Sequence, residues 1–484
     1  MRFSVLPKEG VDGQNEECLS SAALEHLEKL VENHEGEYEG KLLLSPQLDR
    51  KIVSFQANKN SPVYRLFKYK EGFSASLVSY FIEYLNLKKG PILDPFSGTG
   101  TTPLVASNKG LASVGIELLP IGNLIAWARY ELGKGISNKS FKRLKYWKNN
   151  KPWKQIKTYL PLPILSITEG AYPEDTERDI SGFLQGIQSE SDNVKKLLMF
   201  ALCAILEEVS YTRKDGQYLR WDYRSNRRQG KNTFDKGKIY SFNEAICKKI
   251  NDIIEDSQFH NEEFLFPMTH EISFDGDVSF IDGSCLEHMQ QLDGGGFEGI
   301  ITSPPYCNRY DYTRTYALEL AVLGVSSDKL TRLRQTMLSC TVENREKDLL
   351  AINQKWGNIL SYCTKHPILT PLLDYLSDLN NRDELNNKGI PRMVNGYFKE
   401  MACVIYECAR VLRKGGYVAM VNDNVRYAGA TIPVDIILSD FAQHCGLDVI
   451  NIMVLPVGKG NSSQQMGAHG RKSLRKCVYV WRKA

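Results

Sequence analysis

No run in the 484-residue sequence is long and apolar enough to cross a bilayer, and the opening MRFSVLPKEGVDGQNEEC has no uncharged apolar stretch behind its arginine. Those two absences predict a cytoplasmic protein with no membrane partner. The eleven cysteines include no C-x-x-C pair and are joined by no H-x3-H, which argues against a zinc module and a disulfide framework. No metal is expected, and the thiols read as reduced and mostly buried. An internal repeat is lacking too. So is a large charge imbalance: the net charge is +4, too little for composition alone to announce a nucleic-acid partner. What is present is 42% hydrophobic and 24% charged residues, with six Trp and 24 Tyr, the balance of a globular rather than a disordered or fibrous chain. The length exceeds one ordinary domain and predicts a core with a large insertion or a second domain.

Hydrophobic periodicity places the elements. One short amphipathic helix, about 20–33, opens an N-terminal extension (1–60) to which no chemistry is assigned. From Ser61 the pattern sharpens. SASLVSYFIEYL has helical spacing, PILDPF is a short strand, TTPLVASNKG a helix and ASVGIEL a second strand, a β-turn-α-β unit within 61–132. VSFIDGSC and FEGIITSPPY are two further strands in 272–325. Within 393–484, MACVIYECARVLRKGG is a helix ending at Gly415, YVAMVND a buried strand, IPVDIILSDFAQHCG a helix, and VINIMVLPV and KCVYVWRK two closing strands. The alternation predicts an α/β fold: a doubly wound, mostly parallel sheet with an antiparallel C-terminal hairpin strand. Two mainly helical insertions interrupt it, at 133–271 and 326–392. The first is the candidate target-recognition region, because long additions to such a sheet usually carry recognition.

Leu93-Asp94-Pro95-Phe96-Ser97-Gly98-Thr99-Gly100-Thr101-Thr102 leads a strand into a helix through two glycines one residue apart, which lets backbone approach a ligand closely. About twenty residues on, Val114-Gly115-Ile116-Glu117 ends the next strand in a carboxylate, placed to accept both hydroxyls of a ribose. The pair implies a nucleoside cofactor. A nicotinamide dinucleotide is disfavoured because Pro103 stands where G-x-G-x-x-G needs its third glycine, and ATP because no Lys-Ser or Lys-Thr follows the glycines. An isolated G-x-G would be no more than a tight turn.

Thr302-Ser303-Pro304-Pro305-Tyr306 follows the apolar Gly299-Ile300-Ile301, at the carboxyl end of a strand, where sheet ligands bind. Two prolines fix φ and carry no N–H, so nearby carbonyls can face outward as fixed acceptors. The amino group of a nucleic-acid base is a poor nucleophile because its lone pair is delocalised into the ring. Accepting hydrogen bonds from its two protons, on Ser303 Oγ and the Pro304 carbonyl, pulls the nitrogen toward tetrahedral geometry and exposes that lone pair. Tyr306 offers a face on which an extruded base can stack, worth roughly 1–3 kcal/mol, against the few kcal/mol needed to flip it from a duplex. Alone, S-P-P-Y would be a rigid turn with a buried Tyr. Paired with the upstream turn, it becomes a candidate catalytic loop of Ser303, Pro304, Pro305 and Tyr306.

Together these motifs resemble the amino-methyltransferases of DNA, in particular the cytosine-N4 members, whose catalytic loop is typically T-S-P-P-Y. The resemblance covers most of Ser61 to Tyr130, Val278 to Gly324 and Asn395 to Lys483, about half of the chain, and is silent on the insertions. It implies a Rossmann-like methyltransferase fold, S-adenosylmethionine as methyl donor, double-stranded DNA as substrate and one-step transfer to a flipped base. It also implies a place in a restriction-modification or defence system, with a cognate restriction endonuclease acting separately. The cofactor site so implied comprises Asp94, Pro95, Phe96, Gly98, Thr99, Gly100 and Thr101, then Glu117 and Leu118, then Asp282, Ser284 and Cys285 beside the adenine, with Phe73 and Ser74 at the methionine end. Carbon-5 methylation of cytosine would use a Cys, usually in a Pro-Cys dipeptide, and there is none; Cys307 reads as a packing residue. Adenine-N6 members more often carry Asp or Asn in place of Ser303, and transfer-RNA guanine-N2 methyltransferases share a Pro-Pro-Tyr loop, so adenine and RNA stay open as alternatives. A non-catalytic nucleic-acid-binding module is a third, against which the intact Asp94, Gly98, Gly100, Glu117, Ser303 and Tyr306 argue. The cofactor turn precedes the catalytic loop by about two hundred residues, the reverse of the order in many S-P-P-Y enzymes.

Tyr211 to Arg228 interleaves cations with aromatics and Gln/Asn, the mixture that neutralises phosphates and reads base edges. Arg213, Lys214, Arg220, Trp221, Arg224, Arg227 and Arg228 are therefore candidate DNA contacts; a solvated basic loop is the alternative. A second basic stretch brings Lys459 between the last two strands, and Arg309 and Tyr312, just past the catalytic loop, are placed to border the base.

Overall fold

Strands of one sheet come from both ends of the chain. The computed structural model describes residues 13–49, 51–215, 218–228, 233–257, 274–456 and 473–484. Its strands are β1 (Leu42–Leu44), β2 (Ile92–Asp94), β3 (Ser113–Glu117), β4 (Thr212–Asp215), β5 (Tyr218–Trp221), β6 (Val278–Asp282), β7 (Phe297–Thr302), β8 (Leu412–Asp423), β9 (Val425–Tyr427), β10 (Ala430–Ile432), β11 (Leu447–Val454) and β12 (Lys476–Lys483). Eight of them form the central sheet in the order β1-β11-β12-β8-β7-β2-β3-β6. Its middle is parallel, and β2 and β7 are buried along their whole lengths, as strands covered by helices on both faces must be. β12 runs antiparallel between β8 and β11, the expected hairpin, with Cys477 to Trp481 buried.

The chain leaves β2 for β3 and β6 on one side, then crosses back to β7 on the other. The strand order therefore reverses between β2 and β7, and a crevice opens at their carboxyl ends. Helices α1 (Gly13–Glu35), α2 (Ala75–Tyr84), α3 (Thr101–Asn108) and α4 (Pro120–Lys134) precede the first insertion. Among the described residues that insertion adds four long helices, Asn138–Asn150, Glu174–Gly186, Asp192–Val209 and Phe242–Ser257, around an aromatic core of Trp147, Trp153, Phe183 and Phe242. Among the described residues no helix is long and apolar enough to cross a membrane.

Three features go beyond the sequence expectation. The N-terminal helix is longer than 20–33 and is anchored: His34 and His366 each place Nε2 2.9 Å from Asp440 Oδ2, and Tyr38 OH lies 2.5 Å from Asp440 Oδ1. β1, inside the extension, is a parallel edge strand of the sheet, pairing Leu42 with Ile452. Within the mainly helical insertion, β4 and β5 form an antiparallel hairpin.

Candidate active site

The turn after β2 is tied to β7 by side chains. Asp94, buried at the strand end, accepts from the Phe96 N–H (3.0 Å) and from Thr302 Oγ1 (2.6 Å), while Thr102 Oγ1 donates to the Ile301 carbonyl (3.0 Å). Burial lifts the Asp94 carboxyl to about 6, with the Thr302 and Phe96 donors opposing. Gly98 and Gly100 have φ of +55° and +76°, values that side chains disfavour. At Gly100 a Cβ would also lie 2.8 Å from Ala126 Cβ, so the turn needs that glycine for space as well as for dihedral.

Glu117, ending β3, reaches back under the same turn. Its Oε2 accepts from Gly98 N–H and its Oε1 from Leu119 N–H, both at 2.7 Å. Burial pushes its carboxyl up to about 8 against those two donors, and the Asp94 and Asp282 carboxylates add to the rise. A side chain at Gly122 would strike the Gly98 carbonyl at 2.6 Å and Glu117 Cγ at 2.7 Å, so that glycine lets α4 approach the turn.

These groups open into a cleft of about 830 Å³. Its lining runs from Asp94, Pro95, Phe96, Gly98, Thr99 and Thr101 through Glu117 and Leu118 to Ser284 and Cys285, with Phe73 on one side and Ser303 and Pro305 on the other. The sequence-predicted cofactor turn and catalytic loop thus share one cavity. Pro304 and Tyr306 flank it; the Ser303 hydroxyl lies 3.4 Å from Tyr306 OH, and Lys476 Nζ sits 5.5 Å from the Tyr306 ring centroid. Three expected cofactor residues, Ser74, Gly100 and Asp282, are not in the lining. Ser74 is buried, caps α2 through Leu77 N–H (3.2 Å) and donates to the Ile52 carbonyl (2.6 Å). Gly100 packs behind the turn, and Asp282 is exposed, with Oδ1 2.9 Å from Asn123 Nδ2. Cys285 lines the cleft, but burial raises its thiol far above the usual range, as it does for Cys307, so neither is a thiolate.

Sequence reasoning missed Tyr69, Glu71, Thr336, Met337 and Leu338, all in the lining. Glu71 accepts from Tyr310 OH and Tyr316 OH, and Tyr316 stacks on Tyr69 at 5.0 Å. The last three belong to the second insertion, to which no role was assigned. No motif marks them; the only signal is an apolar Met-Leu pair just after a polar helix, Ser327–Thr336.

The basic stretch is less uniform than its composition. Lys214 is buried, pairs with Glu319 and lies 4.2 Å from the Tyr316 ring, so it is an internal anchor and does not reach a DNA surface. Arg213 and Arg220, opposite each other in the hairpin, both lie over Phe234, at 5.3 and 4.2 Å. Arg224 grips buried Asp222 at 2.6 Å, a hydrogen bond that holds the Asp222 carboxyl well below its usual range. Arg227 covers Trp221 at 3.8 Å and bonds the Ser166 and Glu169 carbonyls, while Arg228 is exposed. Arg309, with φ of +65°, reaches Asn386 at 3.3 Å. Tyr312 lines the cleft. Lys459 lies outside the described residues.

Residues 28–120 match the DNA methylase family. The chain is 50% identical over 465 residues to the type II methyltransferase M.AvaI of a Nostoc species, an alignment covering 96% of this chain and 95% of that one. The same figures hold for M.AvaI of Anabaena variabilis. It is 42% identical over 466 residues to the type II methyltransferase M.BsoBI of Geobacillus stearothermophilus, over 90% of this chain and 88% of that one.

Proposed function

From the premise that this chain belongs to the type II DNA methyltransferases of restriction-modification systems, we propose that it methylates the N4 amino group of cytosine within a specific duplex sequence. The observation that carries this is the shared cleft, in which Ser303 and Pro305 face the turn of Asp94 to Thr101 and Glu117.

The lining fits S-adenosylmethionine. Each Glu117 oxygen accepts one backbone N–H and keeps acceptor capacity for a ribose hydroxyl. Asp94 and Glu71 put carboxylates along the path of a cationic tail, and Phe73, Phe96 and Leu118 give apolar walls. When bound, S-adenosylmethionine supplies an electrophilic sulfonium methyl group. Every other part of the chemistry is positioning. Ser303 Oγ and the Pro304 carbonyl accept hydrogen bonds from the two N–H groups of the target amine and turn its lone pair toward the cofactor side of the cleft. The Asp94–Thr302 bond fixes the distance between the two sides. Tyr306 stacks on the flipped base, and Lys476 backs the Tyr306 ring.

A neutral serine at 303, where adenine-N6 enzymes more often carry Asp or Asn, favours cytosine. The exposed cations of the β4–β5 hairpin and its flank, Arg213 and Arg228, neutralise phosphates, with Arg220, Trp221, Arg224 and Arg227 forming the packed base beneath them. A companion endonuclease acts separately on the same sequence. Duplex DNA incubated with the protein and S-adenosylmethionine should yield N4-methylcytosine on nucleoside digestion, and Ser303→Ala should lower the rate by about two to three orders of magnitude, as for loss of a key polar contact to the reacting group. A digest containing only N6-methyladenine overturns the choice of base; methylation of transfer RNA but not duplex DNA overturns the substrate.

A further inference from the structure

Beneath the cofactor turn lies a cation without an anion. Arg129, on α4, is 0% exposed. Its Nη1 donates to the Thr99 carbonyl (3.0 Å) and to Thr99 Oγ1 (2.5 Å), and its Nη2 to the Tyr64 carbonyl (3.1 Å). The guanidinium lies 5.1 Å from the Tyr64 ring centroid, and its buried Nε has no hydrogen-bond partner. Buried Lys214, by contrast, holds Glu319, and the half-buried Lys347 and Arg475 hold Glu400 and Asp435. No Asp or Glu among the described residues forms an ion pair with Arg129, and the Tyr64 phenol beside it, pushed up to about 12 by burial, is uncharged at neutral pH. Burial lowers its pKa to about 10, which leaves it charged at neutral pH.

A fold gains nothing by withdrawing an uncompensated ion from water unless something else meets the charge. Carbonyl and hydroxyl oxygens supply only partial charges. The position of Arg129 indicates where the rest comes from. Its main partner, Thr99, lines the cleft between Gly98 and Thr101, and its other partner, Tyr64, belongs to the segment that leads on to Phe73. The acids of the lining, Glu71, Asp94 and Glu117, suit hydroxyls and cations, and none of them supplies a positive charge for a carboxylate. S-adenosylmethionine carries one carboxylate, at the end of its amino-acid tail. The unmatched buried cation and the unmatched ligand anion thus belong to the same end of the cleft.

We propose that Arg129 is a positioning residue for the carboxylate of the bound cofactor: from beneath Gly98-Thr99-Gly100 it places positive charge under the turn and fixes Thr99, so that the carboxylate seats over that turn. Arg129 does not touch the ligand; it acts through Thr99 and through its field. The proposal rests on the assignment of the cleft to S-adenosylmethionine.

Isothermal titration of the full chain with S-adenosylhomocysteine and with its decarboxylated form, which keeps the amine, separates the two. Decarboxylation should weaken binding to the natural chain by about tenfold, the effect of one partly screened charge pair. Arg129→Met should weaken S-adenosylhomocysteine by a similar factor and leave the decarboxylated ligand within about threefold, so that the discrimination disappears, while Arg129→Lys retains it. Equal binding of the two ligands by the natural chain overturns the proposal, and that comparison needs no variant to fold. Equal losses for both ligands in Arg129→Met, in protein whose melting shows it folded, also overturn it and leave Arg129 a purely structural support. If S-adenosylhomocysteine does not bind the natural chain at all, the cofactor assignment itself fails and the proposal with it.

Discussion

Under the proposed assignment of Glu117 to the ribose, cofactor affinity should depend on pH with a definite sign. In the ligand-free protein burial pushes its carboxyl from 4.5 up to about 8, so at neutral pH it is mostly protonated. Ribose hydroxyls donate to a carboxylate, so the ionised form is the one that receives them and binding expels the proton. Well below pH 8 each unit of acidification should then weaken binding by close to tenfold, which amounts to about fiftyfold between pH 8 and pH 6, with a plateau above. Titration calorimetry with S-adenosylhomocysteine from pH 6 to 9, in buffers of different ionisation enthalpy, measures both the slope and the proton. Release should approach one proton per ligand near pH 6.5 and vanish at pH 9, and Glu117→Gln should abolish the slope. Affinity that stays flat across this range, or proton uptake, refutes the argument. The same raised value bears on stability: the contribution of Glu117 to the empty fold is full below about pH 4.5 and is lost as pH rises through about 8, so ligand should protect the protein most at the alkaline end.

Thr302→Val removes the donor to buried Asp94 and should cost about 1.5–3 kcal/mol in denaturant unfolding, together with a fall in turnover as the two sides of the cleft lose their tie. Gly100→Ala places a Cβ 2.8 Å from Ala126 at a φ of +76° and should abolish measurable cofactor binding while lowering stability by about 1–3 kcal/mol. Lys214→Ala leaves Glu319 buried and unpaired and should lower stability by about 3–5 kcal/mol in thermal or denaturant unfolding. Arg228→Ala should do the opposite, leaving the melting temperature unchanged and weakening DNA binding in a salt-dependent manner in filter or anisotropy assays.

The sheet was legible because its strands are apolar runs closed by chemistry: Asp94, Glu117, Asp282 and Ser303 each stand at or just past a strand end. The parts that escaped depend on partners far away in sequence. Leu42–Leu44 has only three residues and becomes a strand by pairing with Ile452–Val454, some four hundred residues later. Ser74 sits in a stretch expected to meet the cofactor, but a hydroxyl just before a helix has a competing use as its cap. Lys214 could have been separated from its neighbours. In Thr212–Asp215 burial alternates, so a strand reading turns Lys214 inward with Thr212 while Arg213 and Asp215 face out. Counting cations without asking for the period put it on the surface. Met337 and Leu338 carry no chemical signature, and only the folded chain brings them over the cleft.

The hydrogen bond between Asp94 and Thr302 joins positions 208 residues apart, and β2 and β7 are neighbours however much chain runs between them. The spacing between the Asp94 turn and the Ser303 loop is therefore set by two adjacent strands and is insensitive to the length of the excursion that separates them. The segment between residues 133 and 271 can therefore change without moving either strand end, provided an anchor equivalent to the Lys214–Glu319 pair is kept.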